Sequence, residues 1–87
     1  MRGENMENKF NLRIGNAVNL FYWRKQKVIE FTITDIFLEG YVSGYKSIIK
    51  AEYYSDDAEC WYSETFFVND FIKAMNEACL VIESEGK

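Results

Sequence analysis

Two groups of side chains in this sequence have the types and spacing that chemistry could use: thiols and neighbouring carboxylates, and a run of rings set against cations. The first group is thin. There is no histidine, which removes the commonest general base and the commonest metal ligand. Cys60 and Cys79 stand too far apart for a CxxC motif, cannot complete a structural zinc site unaided and have no base partner in view. They are expected to be reduced thiols serving as small buried hydrophobes. Asp56 and Asp57 are adjacent, and in a strand-like chain adjacent side chains diverge rather than share a proton. No phosphate-cradling loop, GxGxxG or nucleophile elbow is present. The expectation is a protein that is not an enzyme and uses no cofactor and no metal.

The second group is denser. In NLFYWRKQKVIEF, residues 19–31, Phe21, Tyr22 and Trp23 are followed by Arg24, Lys25 and Lys27. Rings that stack on bases beside cations that meet phosphates would make a nucleic-acid patch. The same run also reads as a hairpin, two apolar strands joined by a charged turn. The overall balance, 14 acidic against 10 basic side chains and a net charge of −4, opposes the first reading, because phosphate binding draws its affinity from an excess of cations.

The elements that must position these residues follow from periodicity. Val18, Leu20 and Tyr22 fall on one face of a strand, and Ile29, Phe31 and Ile33 on one face of the next. Asp35 followed by Ile36-Phe37-Leu38 breaks that parity and predicts a bulge or bend. EGYVSG reads as a loop, and YKSIIKAEYY as a third strand with Ile49, Ala51 and Tyr53 opposed to Lys50, Glu52 and Tyr54. SDDAE reads as a turn, and CWYS as a short fourth strand. Phe71, Met75, Ala78 and Ile82 then recur at helical spacing, with Ile72 and Cys79 beside them. Asn69 is placed to cap that helix, expected over about 70–83, and Asp70 to favour its dipole.

One domain of 87 residues with 48% hydrophobic and 17% aromatic side chains can hold a core without staples. Residues 1–11 are expected to be a flexible N-terminal segment and 12–87 the folded domain. With no apolar leader and no run of membrane-spanning length in the sequence, a cytoplasmic protein with no membrane contact is expected. The fold class expected is mainly β with a C-terminal helix, a partly open antiparallel barrel of four or five strands.

Two segments carry a family resemblance. IGNAVNLFYWRKQKVIEFTITDI resembles the opening hairpin of SH3-like barrels of the Tudor and KOW type, with a glycine before a short strand, a basic turn, and a strand ending in the apolar pair Ile33 and Ile36. CWYSETFFVNDFIKAM is similar to the close of small uncharacterised bacterial and bacteriophage domains of this sort, where a last strand and a one-turn helix lead into a capped helix. The likeness covers residues 12–80 and lacks the glycine-centred KOW signature after the first strand, which counts against a carried-over nucleic-acid role. It implies a candidate site where Tudor-like domains build cation cages, from rings and carboxylates on a pair of loops.

In a meander the first and third turns lie at one end, which sets Arg24, Lys25 and Lys27 near Asp56, Asp57 and Glu59 and neutralises much of the patch. The expected site is that end: Tyr22, Trp23, Arg24 and Lys25 with Tyr54, Asp57, Trp61 and Tyr62. The expected function is a non-catalytic binding or adaptor module for a protein or peptide, a second copy of the chain included. The alternative is a nucleic-acid-binding domain using Arg24, Lys25 and Lys27.

Overall fold

The computed structural model describes residues 12–85. The expectation of a flexible segment over 1–11 lies outside the described residues, as do Gly86 and Lys87. Among the described residues four strands form one antiparallel open sheet in chain order: β1 Ala17–Tyr22, β2 Lys27–Tyr41, β3 Gly44–Ser55 and β4 Cys60–Phe67, followed by a helix, α1, Val68–Glu85.

The parity of the strands decides which face is buried. Leu20 and Tyr22 of β1, Phe31 and Ile33 of β2, and Ile49, Ala51 and Tyr53 of β3 point to one face, where they meet Leu12 and the helix residues Val68 and Phe71. Phe31 sits at the centre, its ring 5.3 Å from Tyr22, 5.0 Å from Tyr53 and 5.7 Å from Phe66. Such edge-on and tilted contacts add to the gain from burying the rings.

The parity break falls where expected. Ile33 pairs with Ala51, but Asp35 pairs with Lys50, so Thr34 is an extra residue in β2. Its hydroxyl donates to the Lys50 carbonyl at 3.2 Å, and the Asp35 carboxylate accepts from the Ile36 N–H at 2.9 Å. These two bonds occupy polar groups at the point where the ladder is interrupted.

Beyond the bulge the structure departs from the sequence reading. EGYVSG is not a loop: β2 and β3 stay paired out to Tyr41–Gly44, and only Val42 and Ser43 turn the chain. Gly44 follows at a φ of 124°, a conformation that disfavours a Cβ. The Tyr45 ring lies across Gly40, so close that a Cβ there would sit 3.2 Å from it. Glycines that suggested a loop thus serve the end of a long hairpin arm. The fourth strand is also longer than CWYS, running eight residues to Phe67, and passes directly into α1 with no separate helical turn between them.

Asn69 falls inside the first turn of α1 instead of capping it, while Asp70 does lie in that turn. Phe71 and Ala78 are buried and Ile72 and Met75 half-buried, and the helix packs chiefly on β1. The far end of the stripe leaves the body: Ile82 is 46% exposed. Cys60 and Cys79 are both exposed free thiols. They are not the buried hydrophobes their type suggested, because Cys60 opens β4 beside a turn and Cys79 lies just off the buried stripe.

Candidate functional site

The first and third turns are built alike. Each spans four residues between paired strand ends, Tyr22–Lys27 and Ser55–Cys60. Each closes by an N–H donating back to the strand's last carbonyl: Gln26 to Tyr22 at 2.8 Å, and Glu59 to Ser55 at 2.7 Å. In each, that closing residue is left-handed, with φ 54° at Gln26 and 56° at Glu59. Gln26 also donates its side-chain amide to the Trp23 carbonyl at 2.7 Å, and the Ser55 hydroxyl accepts from the Ala58 N–H at 3.3 Å. Such local bonds let short polar turns hold a defined shape.

The two turns lie at one end, and a single contact joins their charges: Lys25 Nζ stands 4.0 Å from the Asp57 carboxylate. Arg24 turns elsewhere. Its Nε lies 3.1 Å from Glu64 of β4, and its guanidinium covers the Trp23 ring at 4.6 Å. Glu64 also accepts a hydrogen bond from the Tyr22 hydroxyl. Burial and then that carboxylate hold the Tyr22 hydroxyl protonated well beyond the usual tyrosine range. Lys27 is exposed at the start of β2.

The expected site residues therefore divide among three places. Tyr22 is only 4% exposed and belongs to the core. Tyr54 and Trp61 are a cross-strand pair on the opposite face of the sheet, rings 5.5 Å apart and edge to face. Tyr62 lies over Tyr53 at 5.7 Å, and its hydroxyl is held protonated first by a hydrogen bond with the Cys60 thiol. Trp23, Tyr54, Trp61 and Tyr62 are all substantially exposed, Trp23 at 63% and Trp61 at 59%. With Tyr22 spent in the core and Tyr54 and Trp61 outside it, the expected rings do not line one cavity together.

A groove of about 720 Å³ does gather rings and carboxylates, but a different set. Phe21, Trp23, Arg24 and Gln26 form one wall, and Glu64, Thr65, Phe66 and Phe67 of β4 run along it. The hairpin arm contributes Phe37, Glu39, Tyr41 and Ile48, and the helix contributes Asp70, Lys73, Ala74 and Glu77, one stripe by their spacing. Phe37, Ile48 and Phe67 are lateral neighbours on the outer face of the sheet. Ile48 is buried there, outside the main core. This second cluster was missed because the bulge reverses the parity that the first half of β2 sets. The adjacent apolar pairs Ile48-Ile49 in β3 and Phe66-Phe67 at the end of CWYSETFF, each of which sends one side chain to either face, were the available signals.

Among the described residues no group of three histidine, cysteine or acidic side chains is arranged to hold a metal ion, and no helix is long and apolar enough to cross a membrane. No known protein family matches this chain, and neither a curated protein nor a solved structure has significant similarity to it. The arrangement itself offers π faces, carboxylates and exposed aromatic area at one end of a small sheet.

Proposed function

We propose that this chain is a non-catalytic binding or adaptor module, acting in the cytoplasm, that recognises a protein or peptide partner through the aromatic, charged end of its sheet. The observation that carries the reading is the set of rings left outside the core near the paired turns: Trp23, Tyr54, Trp61 and Tyr62. Large rings bring much contact area at little rotamer cost, so they favour an interface when they face solvent. We read the curled meander as a partly open, SH3-like barrel. The bulge in β2, the Tyr22–Glu64 bond linking β1 to β4, and the helix lying over β1 support that reading. The nucleic-acid alternative is weakened because Arg24 and Lys25 already face Glu64 and Asp57.

A photo-crosslinking residue at position 61, compared with one at the exposed helix position 83, tests the proposal. The expected result is a discrete protein adduct from position 61 that position 83 does not give. A titration with short oligonucleotides at low and physiological salt tests the alternative. Saturable shifts at residues 22–27 that weaken with salt would replace the protein-binding reading with the nucleic-acid one.

A further inference from the structure

β4 is the last strand of the sheet, and among the described residues its second edge has no backbone partner. In an antiparallel pair, alternate N–H and C=O groups of an edge strand point away from the neighbour and are available to another chain. Natural edges are usually guarded by lysine, proline or a bulge. β4, CWYSETFF, has neither lysine nor proline, and its eight pairs with β3 run without a shift. Its one charge, Glu64, points inward, a placement that can also guard an edge; here Tyr22 and Arg24 already engage it.

The groove runs along this edge. Glu64 and Phe66 face the core side of the sheet and Thr65 and Phe67 the outer side, yet all four line the same groove. Side chains from both faces of one strand border a common space where that space follows the strand's edge. The groove's charge is unbalanced: four carboxylates against Arg24, which faces Glu64, and Lys73. The protein also places cations on two of the groove's rings, Arg24 over Trp23 at 4.6 Å and Lys46 over Phe67 at 5.7 Å, so those faces accept positive charge.

We propose that the free edge of β4 takes an extended, basic segment of a partner protein as an added strand, with lysine or arginine side chains lying among the rings and carboxylates of the adjoining groove. This rests on the binding-module reading and specifies its partner. The backbone of the segment supplies the ladder bonds, and its alternate side chains supply the specificity. The acidic lining repels acidic segments.

The test is an amide NMR titration of the full chain with three ten-residue peptides. They are an alternating lysine–valine peptide, the same peptide with glutamate for lysine, and the lysine peptide N-methylated at alternate residues. The expected result is saturable shifts over residues 60–67 with slowed amide exchange there, for the first peptide only. Glu39→Lys with Glu77→Lys, both at exposed positions, should weaken that binding by about tenfold or more while leaving the free spectrum dispersed. Equal binding of the N-methylated peptide would overturn strand addition, and equal binding of the glutamate peptide would overturn charge selection. No binding of any peptide, with position 61 still giving its protein adduct, sinks this inference and leaves the binding-module reading standing. Concentration-dependent broadening over 60–67 without peptide would instead assign the edge to a second copy of the chain and overturn the inference.

Discussion

The Tyr22 hydroxyl donates to the Glu64 carboxylate, linking the first strand to the last, and Arg24 closes on the same carboxylate at 3.1 Å. No β1–β4 backbone ladder is present among the described residues, so these side chains fasten the two ends of the meander. Glu64→Ala should cost about 1–3 kcal/mol, because it leaves a buried hydroxyl without its acceptor. Tyr22→Phe removes donor and need together, and the double variant should cost less than the sum of the singles. Urea midpoints of the four proteins check this.

The same bond predicts an alkaline limit. Burial and Glu64 raise the Tyr22 hydroxyl above its ordinary value, so the folded state holds that proton more tightly than the unfolded chain. Its stabilising effect is complete below the unfolded tyrosine value of about 10 and is lost as pH rises through the higher folded value. Thermal midpoints from pH 8 to 11.5 should fall above pH ~10, and the fall should be shallower in Tyr22→Phe.

The matched turns each hold a side-chain-bearing residue at positive φ. Glu59→Gly relieves that conformation and removes one of three acids from a crowded turn, and should stabilise by about 0.5–1 kcal/mol. Gln26→Gly relieves the same strain but loses the bond to the Trp23 carbonyl, so its gain should be smaller. Chemical denaturation of the two variants gives the ordering.

The helix is anchored from Val68 as far as Ala78, and beyond that Ile82 leaves the body. Phe71→Ala removes a fully buried ring from between the helix and Phe66 and should cost about 3–5 kcal/mol. Ile82→Ala, at a position the sequence placed on the same stripe, should change stability by less than about 0.5 kcal/mol. Equal losses would mean that the last turns of α1 are docked after all.

Strands, their buried parity and the helix were legible because each has one polar face against one apolar face, and period is then a direct record of burial. Ile29, Phe31 and Ile33 show this, as do Ile49, Ala51 and Tyr53. The hairpin arm was not legible, since Gly40 and Gly44 read as loop residues while their real partners, Tyr45 and Tyr41, lie across the sheet. Half of the candidate site was visible in the charged turns. The other half, Glu64 with the Phe37–Ile48–Phe67 cluster, depends on cross-strand register after a one-residue slip. No local pattern carries that information.

The two-residue tip at Val42–Ser43 closes an arm that extends beyond β1 and is paired rung by rung from Asp35–Lys50 to Tyr41–Gly44. Residues added or removed two at a time on each strand would preserve which faces turn inward, whereas an odd change would invert everything beyond it. Length drift among descendants of this chain should therefore run in even steps and stay within the outer end of the arm, from the Leu38–Ser47 rung to the tip, leaving the anchored part of the sheet untouched. The Ile48–Phe67 rung, the last that β3 shares with β4, marks the boundary between the part of the molecule free to vary in size and the part that is not.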